Sequence, residues 1–298
     1  MSVTTIKENK CGVVILNYNS HDLTVALANK IATYRSVDKI CVVDNCSKDD
    51  FDNDFSDKKI FYIKNHVNSG YSAGNNVGLR YLIEEKHCEY VFIANPDTIF
   101  EDKTISEIKK TFEKYPQIAL VSTKRYGHGG STIHQYFDFP NVGISIKSCF
   151  FITRKKIEKE RFFIQNKRVD EAEGLVYVDA VPGAFFGIRS EFLIKNNYIY
   201  EGIFLYGEEI ILGRQAKLLG YKSAIINTSS YIHDHQQLRF NNRKMFWRDR
   251  KSLKVYYKMF EKLSSWQWFY LNAAFILGTI EYNCEYFLFH LLQSLKHK

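Results

Sequence analysis

Three acidic residues of this 298-residue chain stand where a carboxylate could take part in catalysis. Asp97 follows an apolar run in Asn95-Pro96-Asp97, and Glu208 and Glu209 are adjacent within an otherwise apolar segment. An aspartate at a strand end can bind Mg²⁺ or Mn²⁺, which shares its coordination with substrate phosphates and neutralises a departing diphosphate. A glutamate among apolar side chains gains basicity and can accept a proton from a hydroxyl. The alternative roles are a capping aspartate and a solvated acidic turn.

A later pair of histidines offers a further metal ligand. His233 and His235 belong to the segment YIHDH, which follows a predicted strand. Isolated histidines more often serve only as hydrogen-bonding groups, so both interpretations stay open. Zinc is not expected, because no cysteine stands at ligand spacing and the other candidate ligands are oxygen atoms.

The segment NSGYSAGNNVG at positions 68–78 combines three glycines with three asparagines. Glycine permits close backbone approach and left-handed conformations, and asparagine supplies hydrogen bonds. We interpret the segment as a ligand-binding loop that leads into a helix reaching about position 86, with a simple turn as the alternative. Neither of the two common phosphate-binding patterns, G-x-G-x-x-G and G-x-x-x-x-G-K-[ST], occurs in it.

The elements that must position these residues alternate between strands and helices. Apolar runs predict strands at 12–16, 39–43, 59–64 and 90–94, with helical segments between them. Uninterrupted apolar strands alternating with helices indicate an α/β fold with a mostly parallel sheet covered on both faces. Polar residues follow the strands at 17–19, 44–45 and 95–97. Because ligands of open α/β sheets bind at the carboxyl ends of the strands, these three groups should line one crevice.

The remainder of the chain gives weaker signals. Residues 126–176 show no clear period, while 176–189 predict a strand, a turn at Pro182-Gly183 and a second element. A helix is predicted over 206–219 and a strand over 222–226, and the pattern is helical from 243 onward. We therefore expect a catalytic domain over 1–240 and a helical appendage over 241–298.

Seven segments, taken in order, resemble family 2 glycosyltransferases of the GT-A fold, and especially their rhamnosyltransferase-like branch. They are VVILNYNS, CVVDNCSKDD, NSGYSAGNNVG, FIANPDTIF, VPGAFFGIR, FLYGEEIILGRQAKLLGY and YIHDH, which extend over about positions 12–235. The resemblance implies an inverting, metal-dependent transfer of a sugar from a nucleoside diphosphate, either dTDP-rhamnose or a UDP-hexose. The acceptor would be a hydroxyl of a glycan or a lipid-linked molecule in surface polysaccharide or glycan assembly.

The same resemblance implies which residues bind the nucleotide. Tyr18 would lie against the nucleobase, and Asp44 would accept a hydrogen bond from the edge of the base. The complete implied set is Asn17, Tyr18, Asn19, Asp44, Asn68, Gly70, Asn75 and Asn95. Gly183 and Ala184 would shape the donor-sugar and acceptor side.

The resemblance also implies the residues of the chemical step. Glu209 would accept the proton of the acceptor hydroxyl, with Glu208 beside it as the second residue of the motif. Asp97 and His233 would hold the cation, either Mg²⁺ or Mn²⁺.

Two departures from the family pattern keep other functions open. Glu209 stands where the family has aspartate, and Ile211 replaces an acidic residue. A catalytically weak nucleotide-sugar-binding protein is therefore one alternative. A nucleotidyltransferase that makes a nucleotide sugar is another, but it would need a glycine-rich loop with a basic residue after the first strand, and NYNSHD is no such loop.

The C-terminal region is basic and aromatic. The chain has a formal net charge of +8, and positions 239–298 hold 11 Lys/Arg against 4 Asp/Glu, a surplus of 7. Lysines and arginines interleaved with aromatic residues are typical of a helix in a membrane interface, and packing or homodimerisation is the alternative. Nucleic acid is not expected, because no recognised binding module accompanies the charge.

The remaining features indicate an intracellular protein. The six cysteines are scattered without a C-x-x-C pair, as expected for reduced thiols. The first residues, MSVTTIKENK, lack the apolar region of a secretory signal, and no apolar run reaches the length of a membrane span. We expect a cytoplasmic protein, peripheral at the inner face of the cell membrane.

Overall fold

The computed structural model describes residues 9–48, 55, 57–234 and 243–296. Its strands join in one nine-stranded sheet. The strands are β1 Cys11–Asn17, β2 Lys39–Asp44, β3 Ile60–Lys64, β4 Tyr90–Ala94, β5 Thr98–Ile99, β6 Ile118–Tyr126, β7 Leu175–Val178, β8 Phe185–Arg189 and β9 Lys222–His233. The α-helices are α1 His21–Ala32, α2 Tyr71–Arg80, α3 Asp102–Lys114, α4 Val142–Lys147, α5 Phe151–Asp170, α6 Ser190–Lys195, α7 Glu208–Leu218, α8 Arg243–Phe260 and α9 Ser265–Lys296.

The first half of the sheet is parallel, as the apolar runs predict. Strands β3, β2, β1 and β4 lie side by side in that order. All residues of β2 from Ile40 to Asp44 and all of β4 are buried, which explains why these strands are apolar throughout instead of alternating. Asn17 and Asp44 lie opposite each other in the register of β1 and β2, so the polar ends of the two strands are adjacent.

The second half of the sheet is mixed. Strand β8 is antiparallel to both β4 and β6, and β9 is parallel to β6 but antiparallel to β5 and β7. The α/β fold is confirmed, although the parallel strands are concentrated at one side. Because β8 runs in the opposite direction, its first residues lie at the edge where β1, β2 and β4 end. The Gly183-Ala184 segment that precedes β8 is brought to that edge in this way.

Helices cover both faces of the sheet, as expected. On one face, α1 and α3 contribute Leu27, Ile31, Ile108 and Phe112 to a buried apolar cluster with β1 and β4. On the other face, α2, α6 and α7 contribute Leu79, Phe192 and Leu212, among other residues, to a second cluster.

Helix α2 occupies most of the segment that we predicted as a loop. The helix begins at Tyr71, and only residues 68–70 remain outside it. A Cβ added at Gly74 would lie 2.6 Å from Leu16, and one added at Gly78 would lie 2.8 Å from Val14. These two glycines therefore let the helix pack closely on β1, and their place in the sequence reflects packing and not ligand contact.

Two further elements differ from the prediction. Residues 126–176, for which the sequence shows no clear period, contain the twenty-residue helix α5. Its charged residues occur on several faces and obscure the helical periodicity. Strand β9 continues from the predicted 222–226 to His233, because a register shift between Thr123 and Lys124 of β6 allows pairing to resume beyond it. His233 thus lies within a strand and pairs with Thr98 of β5.

The C-terminal helices pack on the start of α7. Tyr256, Tyr257, Leu271 and Phe275 of α8 and α9 share a third buried cluster with residues of the preceding part of the chain, including Ile203 and Ile211. Within the part of the chain that the structure describes, no helix combines the length and the apolarity needed to cross a bilayer.

Candidate active site

The carboxyl ends of β1 and β2 are joined by a buried hydrogen-bond network. Asn17 Nδ2 donates to Asp44 Oδ1 over 2.9 Å and to Ser47 Oγ over 2.9 Å, and Asn17 Oδ1 accepts from the hydroxyl of Thr24 over 2.9 Å. Asn17 and Asp44 are fully buried. These two predicted nucleotide-binding residues are therefore joined by a buried hydrogen bond where β1 and β2 end.

The loop after β1 forms the exposed rim above this network. Tyr18 is 53% exposed, which leaves its ring available to a flat ligand. Asn19 adopts a left-handed conformation, its N–H donates to Ser47 Oγ over 2.9 Å, and its side-chain oxygen accepts from the N–H of Lys48 over 3.1 Å. Ser47, which the sequence did not single out, therefore ties the loop after β1 to the loop after β2.

The residues at the start of α2 are held by polar contacts. Asn68 Oδ1 accepts from Asn45 Nδ2 over 2.9 Å and from the N–H of Gly70 over 3.0 Å. Gly70 has a φ of +101°, and a Cβ there would lie 2.4 Å from the carbonyl oxygen of Phe204. Both the conformation and the close approach require glycine.

Asn75 lies one turn into the same helix and is fully buried. Its Nδ2 donates to the carbonyl of Tyr71 over 3.0 Å, and its Oδ1 has no hydrogen-bond partner among the described residues. Buried polar atoms without partners are uncommon, so this oxygen is a candidate for a contact with a bound molecule or a water.

Asp97 and His233 face each other across β5 and β9. His233 Nε2 lies 3.3 Å from Asp97 Oδ1, and the two side chains are 25% and 22% exposed. The N–H of Asp234 donates to the carbonyl of Asp97 over 2.8 Å, which fixes the two segments together. The two predicted metal-binding residues are thus brought together, while His235 lies outside the described residues.

The residues present fit a divalent cation that is completed by its substrate. Among the described residues, no group of three or more His, Cys, Asp or Glu is arranged to hold a metal. A single carboxylate beside an imidazole, both partly open to solvent, leaves most coordination positions to phosphate oxygens and water. This is the arrangement expected of Mg²⁺ at nucleotide sites, and Mn²⁺ also accepts an imidazole.

Tyr71 connects the Asn95-Pro96-Asp97 turn to the Gly183-Ala184 segment. Its hydroxyl donates to the carbonyl oxygen of Gly183 over 2.7 Å and lies 3.2 Å from Asn95 Oδ1. The N–H of Asn95 donates in turn to the carbonyl of Ala184 over 2.8 Å. Asn95, Gly183 and Ala184, which were predicted from separate segments, therefore meet at one place.

Glu208 and Glu209 begin α7. They follow Gly207, which has a φ of +94° and allows the sharp entry into the helix. Gly183 lies directly against Glu209, since a Cβ on this glycine would be 2.4 Å from Glu209 Oε1. Glu209 is therefore near the segment that Tyr71 joins to Asn95.

Burial raises the pKa of both carboxyl groups of this pair. For Glu208 the loss of hydration is the largest cause, and the charge of Glu209 adds to it. For Glu209 the same cause dominates, while backbone N–H groups, including that of Gly183, and the charge of Arg125 oppose the shift. Glu208 is buried, and its Oε2 has no hydrogen-bond partner among the described residues. A half-buried Glu209 with a raised pKa is suited to accept a proton.

Two residues near this pair were missed in the sequence. We interpreted Tyr71 as part of a loop, although an aromatic residue inside a glycine-rich segment can indicate a residue that contacts the site. Arg125 lies in β6, far along the chain from Glu209, and nothing in its local sequence marks it. This electrostatic interaction between residues far apart in the chain can be recognised only when the order of the strands in the sheet is known.

Comparisons with known proteins identify the family of this chain. Residues 12–189, more than half of the chain, match the sequence family described as "Glycosyl transferase family 2". The chain belongs to this family. The predicted family is thereby confirmed, and the matched range contains the ends of β1, β2 and β4 together with Tyr71 and Gly183.

This family-2 chain has a relative in Haloferax volcanii. It is 30% identical over 198 residues to the "Low-salt glycan biosynthesis hexosyltransferase Agl10" of Haloferax volcanii. The match covers 66% of the chain and 58% of the relative, so less than two thirds of the relative's length is represented.

Solved structures share the fold at low sequence identity. A mannosyltransferase of Pyrobaculum calidifontis in complex with GDP-Man and Mn²⁺ superposes with a TM-score of 0.59 at 13% identity, covering 92% of this chain and 73% of that one. GalNAc-T7 with UDP, GalNAc and Mn²⁺ superposes with a TM-score of 0.61 at 11% identity, covering 84% of this chain and 47% of that one. TarS of S. aureus superposes with a TM-score of 0.52 at 16% identity, covering 90% of this chain and 43% of that one. These likenesses confirm the GT-A fold.

Proposed function

We propose that this family-2 chain transfers a hexose or related sugar from a nucleoside diphosphate to an acceptor hydroxyl, with inversion at the anomeric carbon. The observation that supports the proposal is the Tyr71 bridge, because the Tyr71 hydroxyl contacts both Asn95 of the Asn95-Pro96-Asp97 turn and Gly183, which lies against Glu209. A cation site and a general base in one crevice are the two groups that a single displacement at a sugar phosphate requires.

In the proposed step, the acceptor hydroxyl attacks the anomeric carbon on the face opposite the diphosphate. The O–H proton passes to Glu209 as the new C–O bond forms, and the bond to the diphosphate breaks with its electron pair on the departing oxygen. Asp97 and His233 would hold Mg²⁺ or Mn²⁺, which would supply positive charge to neutralise the leaving diphosphate. Glu209 is held for this role by the backbone of Gly183 and by the start of α7.

The donor class is proposed from the relatives and the crevice together. Tyr18 would stack on the nucleobase, and the loops tied by Ser47 and Asn68 would follow the ribose and phosphates. The Haloferax relative is called a hexosyltransferase, which favours a nucleoside-diphosphate hexose, and dTDP-rhamnose is the second candidate donor. The acceptor would be a glycan or a lipid-linked molecule. If the acceptor is assembled on lipid, the chain would act in the cytoplasm at the inner face of the cell membrane. It would act there as a monomer or a homodimer.

The proposal is tested by measuring the release of nucleoside diphosphate from a panel of nucleotide sugars, with Mn²⁺ or Mg²⁺ and without either. Glu209→Gln should lower kcat by about 100-fold or more, because the acceptor hydroxyl loses its base. Glu158→Gln, which changes an exposed glutamate on α5, is the matched control and should keep full activity. Equal rates for Glu209→Gln and the unmodified chain would exclude Glu209 as the general base. The absence of turnover with every donor tested would favour a nucleotide-sugar-binding protein.

A further inference from the structure

Helix α9 presents an exposed apolar stripe along its whole outer face. Nine large apolar side chains in this stripe are each between 44% and 70% exposed. We call them the outer stripe; they are Trp266, Phe269, Tyr270, Ile276, Leu277, Ile280, Phe287, Leu288 and Leu291. Their spacing of three, four and seven residues places them within about one third of the helix circumference.

The outer stripe carries no charge, because the acidic residues of α9 are turned toward another helix. Glu281 accepts from the N–H of Phe151 over 3.1 Å, and Glu285 pairs with Arg154 over 3.1 Å, with both side chains of that pair 17% exposed. The opposite face of α9, with Leu271, is buried in the third apolar cluster. The helix is therefore apolar on two faces, of which only one is covered by the rest of the described chain.

We infer that the outer stripe is the surface by which this protein lies on a leaflet of anionic lipid. The helix has 32 residues and is about 48 Å long, yet no span in the described chain is apolar enough to cross a bilayer. A long helix with one continuous apolar face and aromatic residues at one end is suited to lie in the plane of the interface.

The charge of the neighbouring elements selects lipid over a second copy of the chain. Lys258 in the last turn of α8 and Lys262 just after this helix are exposed, a few residues before Trp266, and Lys155 and Lys156 are exposed in the first turns of α5. Positions 239–298 hold seven more Lys and Arg than Asp and Glu. Two copies joined through α9 would bring these surpluses together, whereas anionic headgroups would neutralise them.

The contacts of α8 link this surface to the candidate active site. Phe246 of α8 stacks on Tyr282 of α9 with ring centroids 4.4 Å apart. On its other side, α8 places Ser252 against Gly207, 3.0 Å from the position of an added Cβ, immediately before the Glu208-Glu209 pair. A leaflet that holds α9 would therefore also fix the distance of Glu209 from the lipid surface, as an acceptor carried on a lipid would require. The benefit for a lipid-carried acceptor rests on the proposed function, whereas lipid binding by the outer stripe does not.

The test is sedimentation of the full chain with vesicles of phosphatidylcholine, with and without phosphatidylglycerol. The triple variant Ile276→Ser, Leu277→Ser, Ile280→Ser should lower partition into the anionic vesicles by at least about tenfold. The matched control changes three exposed aliphatic residues on and just after α6 and α7, as Ile194→Ser, Leu218→Ser, Leu219→Ser, and should bind like the unmodified chain. Because all six side chains are exposed, thermal unfolding should change little in either variant.

A second variant isolates the electrostatic part. Lys258→Glu with Lys262→Glu should abolish the preference for phosphatidylglycerol while the outer stripe remains intact. Equal vesicle binding by the stripe variant and its control, or no binding by the unmodified chain, would overturn the inference. A dimer in solution that the stripe variant converts to a monomer, without any effect of vesicles, would also overturn it and assign the stripe to a second copy. Release of nucleoside diphosphate in the absence of vesicles is measured in parallel, so that a failure of lipid binding is distinguished from a failure of the proposed transfer.

Discussion

Gly183 packs against the carboxylate of Glu209 so closely that a methyl group on its Cα would lie 2.4 Å from Oε1. Gly183→Ala should therefore displace the proposed base and lower kcat by about tenfold or more, since small misplacements of a catalytic group are costly. Gly143→Ala in α4 is the control, because its added methyl group would meet only Asn141 Oδ1, at 3.3 Å. Steady-state kinetics of both variants test this contact, and a Gly183→Ala enzyme with unchanged kcat would contradict it.

Tyr71→Phe removes the hydroxyl that joins Gly183 to Asn95. The ring can keep its packing, so we expect a kcat reduced by about tenfold with a smaller change in the KM of the donor, because the groups on the two sides of the crevice lose their fixed separation. Tyr177→Phe, at a half-exposed tyrosine of β7, serves as the control. A loss of thermal stability that accounts for the whole loss of activity would argue for a purely structural hydroxyl.

Asp97→Asn should raise the Mn²⁺ concentration needed for half-maximal activity by about tenfold or more, and His233→Ala should act in the same direction, because each would remove one of the two proposed metal ligands. Thermal stabilisation by Mn²⁺ with a nucleoside diphosphate gives a second readout that needs no turnover. The pair of a partly exposed His21 and a fully exposed Asp22 on α1 offers matched controls, as His21→Ala and Asp22→Asn. Unaltered metal dependence in Asp97→Asn would refute its assignment.

Glu208→Gln should make the fold more stable at neutral pH. Burial raises the pKa of Glu208, so the folded chain keeps a proton that the unfolded chain releases as pH rises above the ordinary value of 4.5. The unmodified chain therefore loses stability with rising pH, by up to about 1.4 kcal/mol per pH unit from Glu208, and the glutamine variant lacks this contribution. Denaturant unfolding at several pH values measures the difference, with Glu158→Gln as an exposed control; a difference that does not grow with pH would contradict a raised pKa.

Much of the crevice could be predicted from the order of short polar segments after apolar runs. Asn17 and Asp44 lie in register at the ends of adjacent strands, and Asp97 follows the neighbouring strand, as the topology of a parallel sheet requires. The pairing of Asp97 with His233 also follows the family resemblance. These features depend on local sequence and on one general rule of sheet topology.

Other features depend on contacts that local sequence does not encode. The glycines and asparagines of α2 disfavour a helix, yet Gly74 and Gly78 allow it to pack on β1, and the gain in packing outweighs their low propensity. An apolar run such as 185–189 looks the same whichever direction the strand takes, so the antiparallel β8 could not be recognised. Tyr71 and Arg125 meet the rest of the site only after the sheet has formed.

The third apolar cluster joins Ile203 and Ile211, on either side of the glutamate pair, to Tyr256 and Phe275 of the C-terminal helices. Because α8 covers the beginning of α7, any local opening that lifts α8 would admit water to Glu208 and relieve its loss of hydration. Amide hydrogen exchange in the first turn of α7 should therefore follow that of α8. The dynamics of the C-terminal helices would set how long Glu208, the neighbour of the proposed base Glu209, stays out of contact with water.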